Sequence, residues 1–260
     1  EGKPVSPGIR VRAQLRTRDV DLDLELPANQ CTAILGANGA GKSTLVGLLS
    51  GALQPDDGGI VAVHGQRLAG GSQGFVPPHR RGIALLEQRP LLFPNMDVLA
   101  NVAFGMRCRG TERKAAKARA EAQLAAVGCA KLAGRRSHQL SGGQAQRIAL
   151  ARALVITPEV LLLDEPLAAL DVAAAPRMRR LLHDQLAGRT AVLVTHDLLD
   201  VLTLAQHVVV LEAGRVIESG PAARVLARPT SRFLADFTGV NLLTGEIVGI
   251  FYSAKKLAAI

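Results

Sequence analysis

The sequence predicts an α/β protein built on a phosphate-loop core, with a mostly parallel sheet, an antiparallel β edge and an inserted helical subdomain. Three observations carry that expectation. Residues 36–44, GANGAGKST, satisfy the full G-x-x-x-x-G-K-[ST] pattern of a loop that wraps polyphosphate. The run Cys31–Leu35 before it reads as a short buried strand, and Leu45, Leu48 and Leu49 after it as the inward face of a helix. Val160–Leu163 is an unbroken aliphatic run that delivers Asp164 and Glu165 at its end, where parallel sheets present ligands, and Thr190–Thr195 presents His196 and Asp197 in the same way.

Taken in order, the stretch VRAQLRTR and the alternation Val20-Asp21-Leu22-Asp23-Leu24-Glu25-Leu26 predict β-strands on a half-buried antiparallel edge, closed by a turn at Pro27-Ala28-Asn29. In the loop, glycines at 36, 39 and 41 allow backbone angles that a side chain would block. Successive N–H groups of Gly36, Ala37, Asn38, Gly39, Ala40 and Gly41 can then turn towards phosphate oxygens, helped by the positive end of the following helix. Lys42 would reach the β- and γ-phosphates, Ser43 would place its hydroxyl on Mg²⁺, and Thr44 would bond the α-phosphate. A turn at 54–59, a strand Ile60–His64 and a Gly/Pro-rich link through Pro77-Pro78 lead to the apolar strand Ile83–Leu86. Beyond Glu87-Gln88, two prolines break regular structure around Leu91, Leu92 and Phe93, which either fill a core gap or meet a partner. Asp97 is expected to cap a helix running to Met106, and Thr111 to cap an alanine-rich helix that ends at Gly128. Leu140-Ser141-Gly142-Gly143-Gln144 opens a further helix and supplies a second anion site at its start. A hairpin of Val208–Leu211 with Val216–Glu218 and two short helices, near Pro221–Ala227 and Ser231–Phe237, complete the order.

Composition bounds the function classes. The 260 residues are 48% hydrophobic, enough for one large core, and no apolar run approaches the roughly 18 residues of a membrane span. The N-terminus EGKPVSPGIR has no apolar signal-peptide core, so the chain is expected to be cytosolic or peripheral. Cys31, Cys108 and Cys129 lack ligand spacing and leave an odd count, which argues against a disulfide framework or a zinc site. The net charge of +9 is dispersed apart from Arg107, Arg109, Arg113, Lys114, Lys117 and Arg119, read as a solvated helix face in preference to a membrane-binding one. Aromatic content of 3% gives no base-stacking platform, and nucleic acid is not an expected partner.

With these residues assembled, the sequence resembles the nucleotide-binding subunits of ATP-binding cassette (ABC) transporters, a P-loop NTPase family, over about residues 9–240. The motifs occur in the family's order: the phosphate loop Gly36–Thr44, Gln88 as the Q-loop glutamine, Leu140–Gln144 as the signature, and Val160–Pro166 as the magnesium and catalytic-glutamate strand. Ala168-Ala169-Leu170-Asp171 follows as the D-loop and His196 as the switch histidine. The resemblance implies catalytic roles for Lys42, Gln88, Glu165 and His196, a Mg²⁺ shell from Ser43, Gln88 and Asp164, and ATP as the nucleotide. It also implies a homodimer sandwiching two ATP molecules, each covered by Ser141, Gly142, Gly143 and Gln144 of the other chain, with Asp171 beside them. Further implied partners are membrane-embedded permease subunits and a separate substrate-binding protein, with this subunit peripheral at the cytoplasmic face of the inner membrane.

Finer wording narrows the resemblance. Leu91-Leu92-Phe93-Pro94 with Asn101-Val102-Ala103-Phe104-Gly105 resembles importers of oxyanions, polyamines and iron. Ser231-Arg232-Phe233 with Thr238–Leu243, and Leu26-Pro27-Ala28, are most similar to ATPases of molybdate importers. Sulfate, polyamine and iron importers remain alternatives, as does a soluble, non-transport cassette ATPase. A P-loop kinase would leave Ser141–Gln144 and His196 unused, and a module without turnover would leave Glu165 unused. Three features depart from the family. No aromatic residue precedes Phe75 to stack on adenine, so either Arg16 or Arg18 stacks there or both are solvated on an edge strand. Pro176 is expected to delay or kink the helix after Asp171. Residues 241–260 read as the start of a truncated C-terminal β-rich regulatory domain, or as a tail.

Overall fold

The computed structural model describes residues 7–70, 74–168, 170–240, 245–248 and 251–254. β1 (Pro7–Leu15) and β2 (Val20–Pro27) pair antiparallel across a single 3-10 turn at Arg16–Arg18. Along β2 buried and exposed positions alternate, so its valine and leucines face inward while Asp21, Asp23 and Glu25 face solvent. β3 (Cys31–Leu35) is buried throughout and runs through the loop into α1 (Lys42–Ser50). β4 (Ile60–Val63) and β5 (Gln66–Ala69) extend the first two strands into a separate four-stranded antiparallel sheet of order β2-β1-β4-β5. The sequence predicts only an edge there, because the pairing of Ile9 with Val63 joins segments about fifty residues apart that no local pattern connects.

After β6 (Ile83–Leu86) come α2 (Val98–Cys108), α3 (Arg113–Ala126) and α4 (Gly142–Leu154). They are followed by β7 (Val160–Asp164), α5 (Ala175–Leu186), β8 (Thr190–Val194), α6 (Leu198–Leu204), β9 (His207–Glu212) and β10 (Arg215–Pro221). α7 (Ala222–Ala227) and α8 (Arg232–Thr238) pack near the end, and β11 (Gly245–Val248) pairs antiparallel with β12 (Phe251–Ala254). The main sheet has the order β10-β9-β3-β8-β7-β6, parallel throughout except for β10. Among the described residues no helix is long and apolar enough to cross a membrane.

Alternation along the strands splits the core. Ile9, Val11, Leu22 and Leu24 of the small sheet, Leu45, Leu48 and Leu49 of α1, and Ile34, Leu162, Val192 and Val209 of the main sheet form one cluster. On the other side Leu161, Leu163 and Leu193 meet Leu150 and Leu154 of α4 and Met178, Leu182 and Leu186 of α5. A third cluster joins α2, α3 and α4 through Val102, Met106, Ala120, Leu124 and Ile148. The buried Arg81 donates to the Leu48 and Leu49 carbonyls at 2.6 and 3.0 Å, fixing the C-terminal end of α1 where a cation is favoured.

Several local expectations are corrected. α3 is capped by Glu112, whose carboxylate accepts from the Lys114 and Ala115 N–H groups, because its longer side chain reaches the free donors that Thr111 was expected to satisfy. Arg16 and Arg18 lie in the 3-10 turn, not on an edge strand. Pro176 sits in the first turn of α5, where its missing N–H has no helical partner to lose, so it does not kink the helix. Leu91 and Phe93 are exposed, whereas Leu92 packs between the second and third clusters. The six basic side chains between Arg107 and Arg119 are exposed. Ala169 and Asn241–Leu243, used in the motif readings, lie outside the described residues.

Candidate functional site

The loop is shaped by the sheet beneath it. Gly36 follows β3 at φ +150°, and a Cβ there would stand 2.3 Å from the Leu211 carbonyl oxygen of β9, so no other residue fits without displacing that strand. Gly41, at φ +103°, caps α1 and leaves Lys42, Ser43 and Thr44 in the helix's first turn. The Lys42 ammonium donates to the Gly36 and Ala37 carbonyls at 2.7 and 2.9 Å and so folds back over the loop. Burial pushes it below its ordinary value, and the nearby Glu165 and Asp164 carboxylates push it back up. Ala40 is buried, Ser43 is exposed and Thr44 is buried.

β7 and β8 are hydrogen-bonded neighbours, so their ends bring Asp164, Glu165 and His196 together. The Asp164 carboxyl is raised chiefly by burial, then by the charges of Glu165 and Glu87, with Lys42 opposing. Glu165 occupies the left-handed region at φ +46°, sparsely populated for a residue with a Cβ, and its N–H donates to the Val194 carbonyl at 2.9 Å. His196 Nδ1 lies 3.1 Å from Glu165 Oε1, with the ring exposed. Asn38, Gly39, Lys42, Ser43, Asp164 and Glu165 line one open pocket of about 420 Å³, and Arg18 contributes to its wall. Arg16 does not line it; its backbone N–H donates to Asp56 Oδ2 at 2.9 Å.

The remaining predicted residues lie elsewhere. Ser141 caps α4 in a reciprocal box with Gln144, the serine hydroxyl accepting from the Gln144 N–H and the glutamine oxygen from the Ser141 N–H. Gly142 is the helix's first residue. Ser141, Gly143 and Gln144 share a second pocket with Asp171, Arg147 and Arg177. Asp171 turns its carboxylate inward along the chain, accepting from the Ala173 and Ala174 N–H groups at 3.0 and 2.7 Å. Gln88 is exposed past the end of β6 and lines neither pocket. One chain therefore carries two separate part-sites, each with polar groups for an anion.

Gln146, Arg147, Arg177 and Glu87 also belong to this region, and no sequence reading singled them out for it. Gln146 is buried in α4 and donates to the Glu87 and Pro166 carbonyls at 3.3 and 3.1 Å, tying the loops after β6 and β7 to the helix that Ser141 caps. Its sequence signal was a buried-phase glutamine two residues past Gln144, which helical spacing alone cannot separate from a surface one. Among the described residues no group of three or more His, Cys, Asp or Glu could hold a metal ion unaided. The crowding of carboxylates around Asp164 beside the free Ser43 hydroxyl nevertheless fits Mg²⁺, which needs only one or two protein oxygens when phosphates and waters supply the rest.

Comparison with known proteins follows the same line. The model of the family described as ABC transporter matches residues 20–168, more than half of the chain. The chain is 48% identical over 246 residues to the molybdenum import ATP-binding protein ModC of Mycobacterium tuberculosis (strain ATCC 25618 / H37Rv), covering 92% of this chain and 66% of that protein. It is 40% identical over 230 residues to the spermidine/putrescine import ATP-binding protein PotA of Pseudomonas fluorescens (strain Pf0-1), covering 87% and 62%. The chain thus spans a little under two thirds of the length of these curated relatives. The solved structure of cbiO1 from Clostridium perfringens, described as part of the ABC transporter complex cbiONQ, matches with a TM-score of 0.75 at 30% identity, covering 85% of this chain and 91% of that one. The α/β frame that carries the loop and the strand ends is shared with cbiO1, and the chain belongs to the ABC transporter family.

Proposed function

We propose that the chain is the ATP-hydrolysing subunit of an importer, acting as a homodimer that encloses two Mg-ATP and drives uptake of an oxyanion, molybdate, through membrane permease subunits supplied by a separate binding protein. The observation that carries the reading is that Lys42 at the start of α1 and Asp164 and Glu165 at the end of β7 line one pocket, with His196 at the end of β8 in contact with Glu165 from the neighbouring pocket. The two part-sites support the dimer: Ser141, Gly142, Gly143 and Gln144 of one copy, with Asp171 nearby, close over the nucleotide held by Gly36–Thr44 of the other. The cargo rests on the likeness to ModC, whose name states molybdenum import, and the location at the cytoplasmic face on the reading as an importer's ATPase.

In the proposed cycle the loop N–H groups and Lys42 take phosphate charge. Ser43, Asp164 and Gln88 would hold Mg²⁺, which would supply positive charge against the charge of the phosphates. A Glu165 carboxylate oxygen accepts a proton of the attacking water. That water's oxygen bonds to the γ-phosphorus as the bond to the β,γ-bridging oxygen breaks, and ADP leaves. His196, against Glu165, aligns that carboxylate and contacts the γ-phosphate. Positioning and charge stabilisation do the catalytic work in such transfers.

The test is Mg-ATP turnover and light scattering on the parent, Lys42→Ala and Glu165→Gln proteins. Glu165→Gln is expected to bind ATP, lose at least a hundredfold in turnover and accumulate as an ATP-bound dimer. Lys42→Ala is expected to lose binding itself. Near-parental hydrolysis by Glu165→Gln would remove Glu165 from the role, and uptake of labelled sulfate in place of molybdate by cells carrying the full importer would reassign the cargo.

A further inference from the structure

Thr195, His196 and Asp197 are consecutive at the end of β8, and the residues on both sides of the exposed histidine are anchored. Asp197 caps α6, its carboxylate accepting from the Leu199 N–H at 2.8 Å, and its own N–H donates to Thr195 Oγ1 at 3.1 Å. Thr195 Oγ1 donates in turn to Asp200 Oδ2 at 3.1 Å. Asp200 is buried, and its other carboxylate oxygen is held by Arg179 of α5, whose Nε donates to Oδ1 at 2.8 Å and whose Nη2 also donates to it. The same Nη2 donates to Asp197 Oδ2 at 3.1 Å.

One largely buried guanidinium therefore bridges two carboxylates that control the backbone on either side of His196. A planar fork can satisfy both at once, which a lysine's single ammonium cannot do with the same geometry. Burial raises the Asp200 carboxyl, and the hydrogen bond and charge of Arg179 pull it back down, so losing Arg179 would leave a buried carboxylate without its counter-charge. Neither Arg179 nor Asp200 lines the pocket around Lys42; both line the neighbouring one, with Glu165 and His196. α5 also carries Arg177 and Met178 in the wall of the second pocket, so the helix that holds the His196 turn is the one that borders the second part-site.

We propose that Arg179 is a positioning residue for hydrolysis: by clamping Asp197 and Asp200 it fixes the turn that carries His196 and aims the imidazole at Glu165. The inference rests on the reading of Glu165 and His196 as the hydrolytic pair. It adds a group outside the pocket around Lys42, and it links the second part-site to the catalytic strand end through one helix.

The test is steady-state ATP turnover, with melting curves, on the parent, Glu165→Gln, Arg179→Gln, Arg179→Lys and the Arg179→Gln/Asp200→Asn double variant. Arg179→Gln is expected to lower kcat at least tenfold while KM for ATP stays within about twofold, because the phosphate loop lies outside the network. Arg179→Lys is expected to stay slow despite its charge. The double variant, with an uncharged amide pair, is expected to recover most of kcat and of the melting temperature. It therefore decides the question even where the single variant folds poorly. Parental kcat in folded Arg179→Gln, a parallel rise in KM, or a double variant whose stability returns without its rate would overturn the clamp. The two readings separate in the same assay. Parental turnover in Arg179→Gln beside a dead Glu165→Gln sinks only the clamp, whereas equal rates in Glu165→Gln and parent sink the hydrolytic pair and the clamp with it.

Discussion

Glu165 is the residue at which local preference and tertiary demand diverge. A left-handed backbone at a non-glycine position costs of order 1–3 kcal/mol, and here the turn is held by the Val194 carbonyl and the contact to His196. A second residue-scale question concerns the base of the nucleotide. Arg18 stands in the wall of the phosphate-loop pocket and Arg16 does not, so the structure separates two arginines that the sequence left equivalent. A guanidinium stacked on a base is expected to contribute about 1 kcal/mol, the low end for such stacking, or roughly fivefold in affinity. By calorimetric titration, Arg18→Ala should therefore weaken ATP roughly fivefold, Arg16→Ala should leave it unchanged and Arg18→Tyr should restore it. A planar cation discriminates little between purines, so GTP should bind within several-fold of ATP. Undiminished ATP affinity in Arg18→Ala would mean that adenine rests on some other group.

At the scale of elements, the loop between β6 and α2 is better ordered than its prolines suggest. Buried Asn101 accepts from the Phe93 N–H at 2.8 Å and donates to the Phe93, Met96 and Asp97 carbonyls, so one amide satisfies four backbone groups of the irregular segment. Phe93 rests against Phe104 at 4.6 Å between ring centroids with the Arg152 guanidinium over it, while Leu91 is left 60% exposed. These outward groups suit a partner helix, and Leu92, wedged between two clusters, suits the core. Leu91→Ser with Phe93→Ser should keep solution ATPase and melting temperature near parental yet lose co-purification with the permease. Leu92→Ser should lose about 1–2 kcal/mol of stability, seen as a melting point lowered by several degrees. If the exposed pair proved as destabilising as Leu92→Ser, the surface assignment would be wrong.

For the molecule as a whole, the pockets around Lys42 and around Ser141 share no lining residue, and Val172, in the wall of the pocket that Glu165 and His196 line, is 92% exposed. The cysteines offer a probe of whether the sheet and the helical cluster unfold together. Cys31 lies in the central strand with its thiol pushed by burial to about 12, Cys129 is raised by burial within the helical cluster, and Cys108 is exposed. Because the thiolate is the reactive form, raising a thiol's pKa above the ambient pH slows its reaction. Native protein at pH 7 to 9 should thus label rapidly at Cys108 alone. Through a urea titration Cys31 and Cys129 should become reactive at one midpoint. Separate midpoints would show that the helical cluster opens before the sheet.

The sequence by itself determined the class of fold, the order of its elements and the place of the loop between β3 and α1. Apolar runs with a period of two or with none, cap residues and the glycine–lysine–serine spacing of 36–44 are short-range signals, and short-range physics was enough to read Asp97, Ser141 and the end of β7 correctly. Tertiary structure alone decided what depends on partners distant in the chain. It set the pairing of β1 with β4 that makes a second sheet, the inward turn of Leu92 and the placing of Arg18, and not Arg16, in the wall of the phosphate-loop pocket. It also set the spacing of Lys42 from Asp164 and Glu165, and the bridge from Arg179 to Asp197 and Asp200. Burial and hydrogen-bond geometry arise only when strands and helices far apart in sequence are brought side by side, so a lone arginine at 179 and a glutamine at 146 carried no mark of their partners until the sheet had assembled.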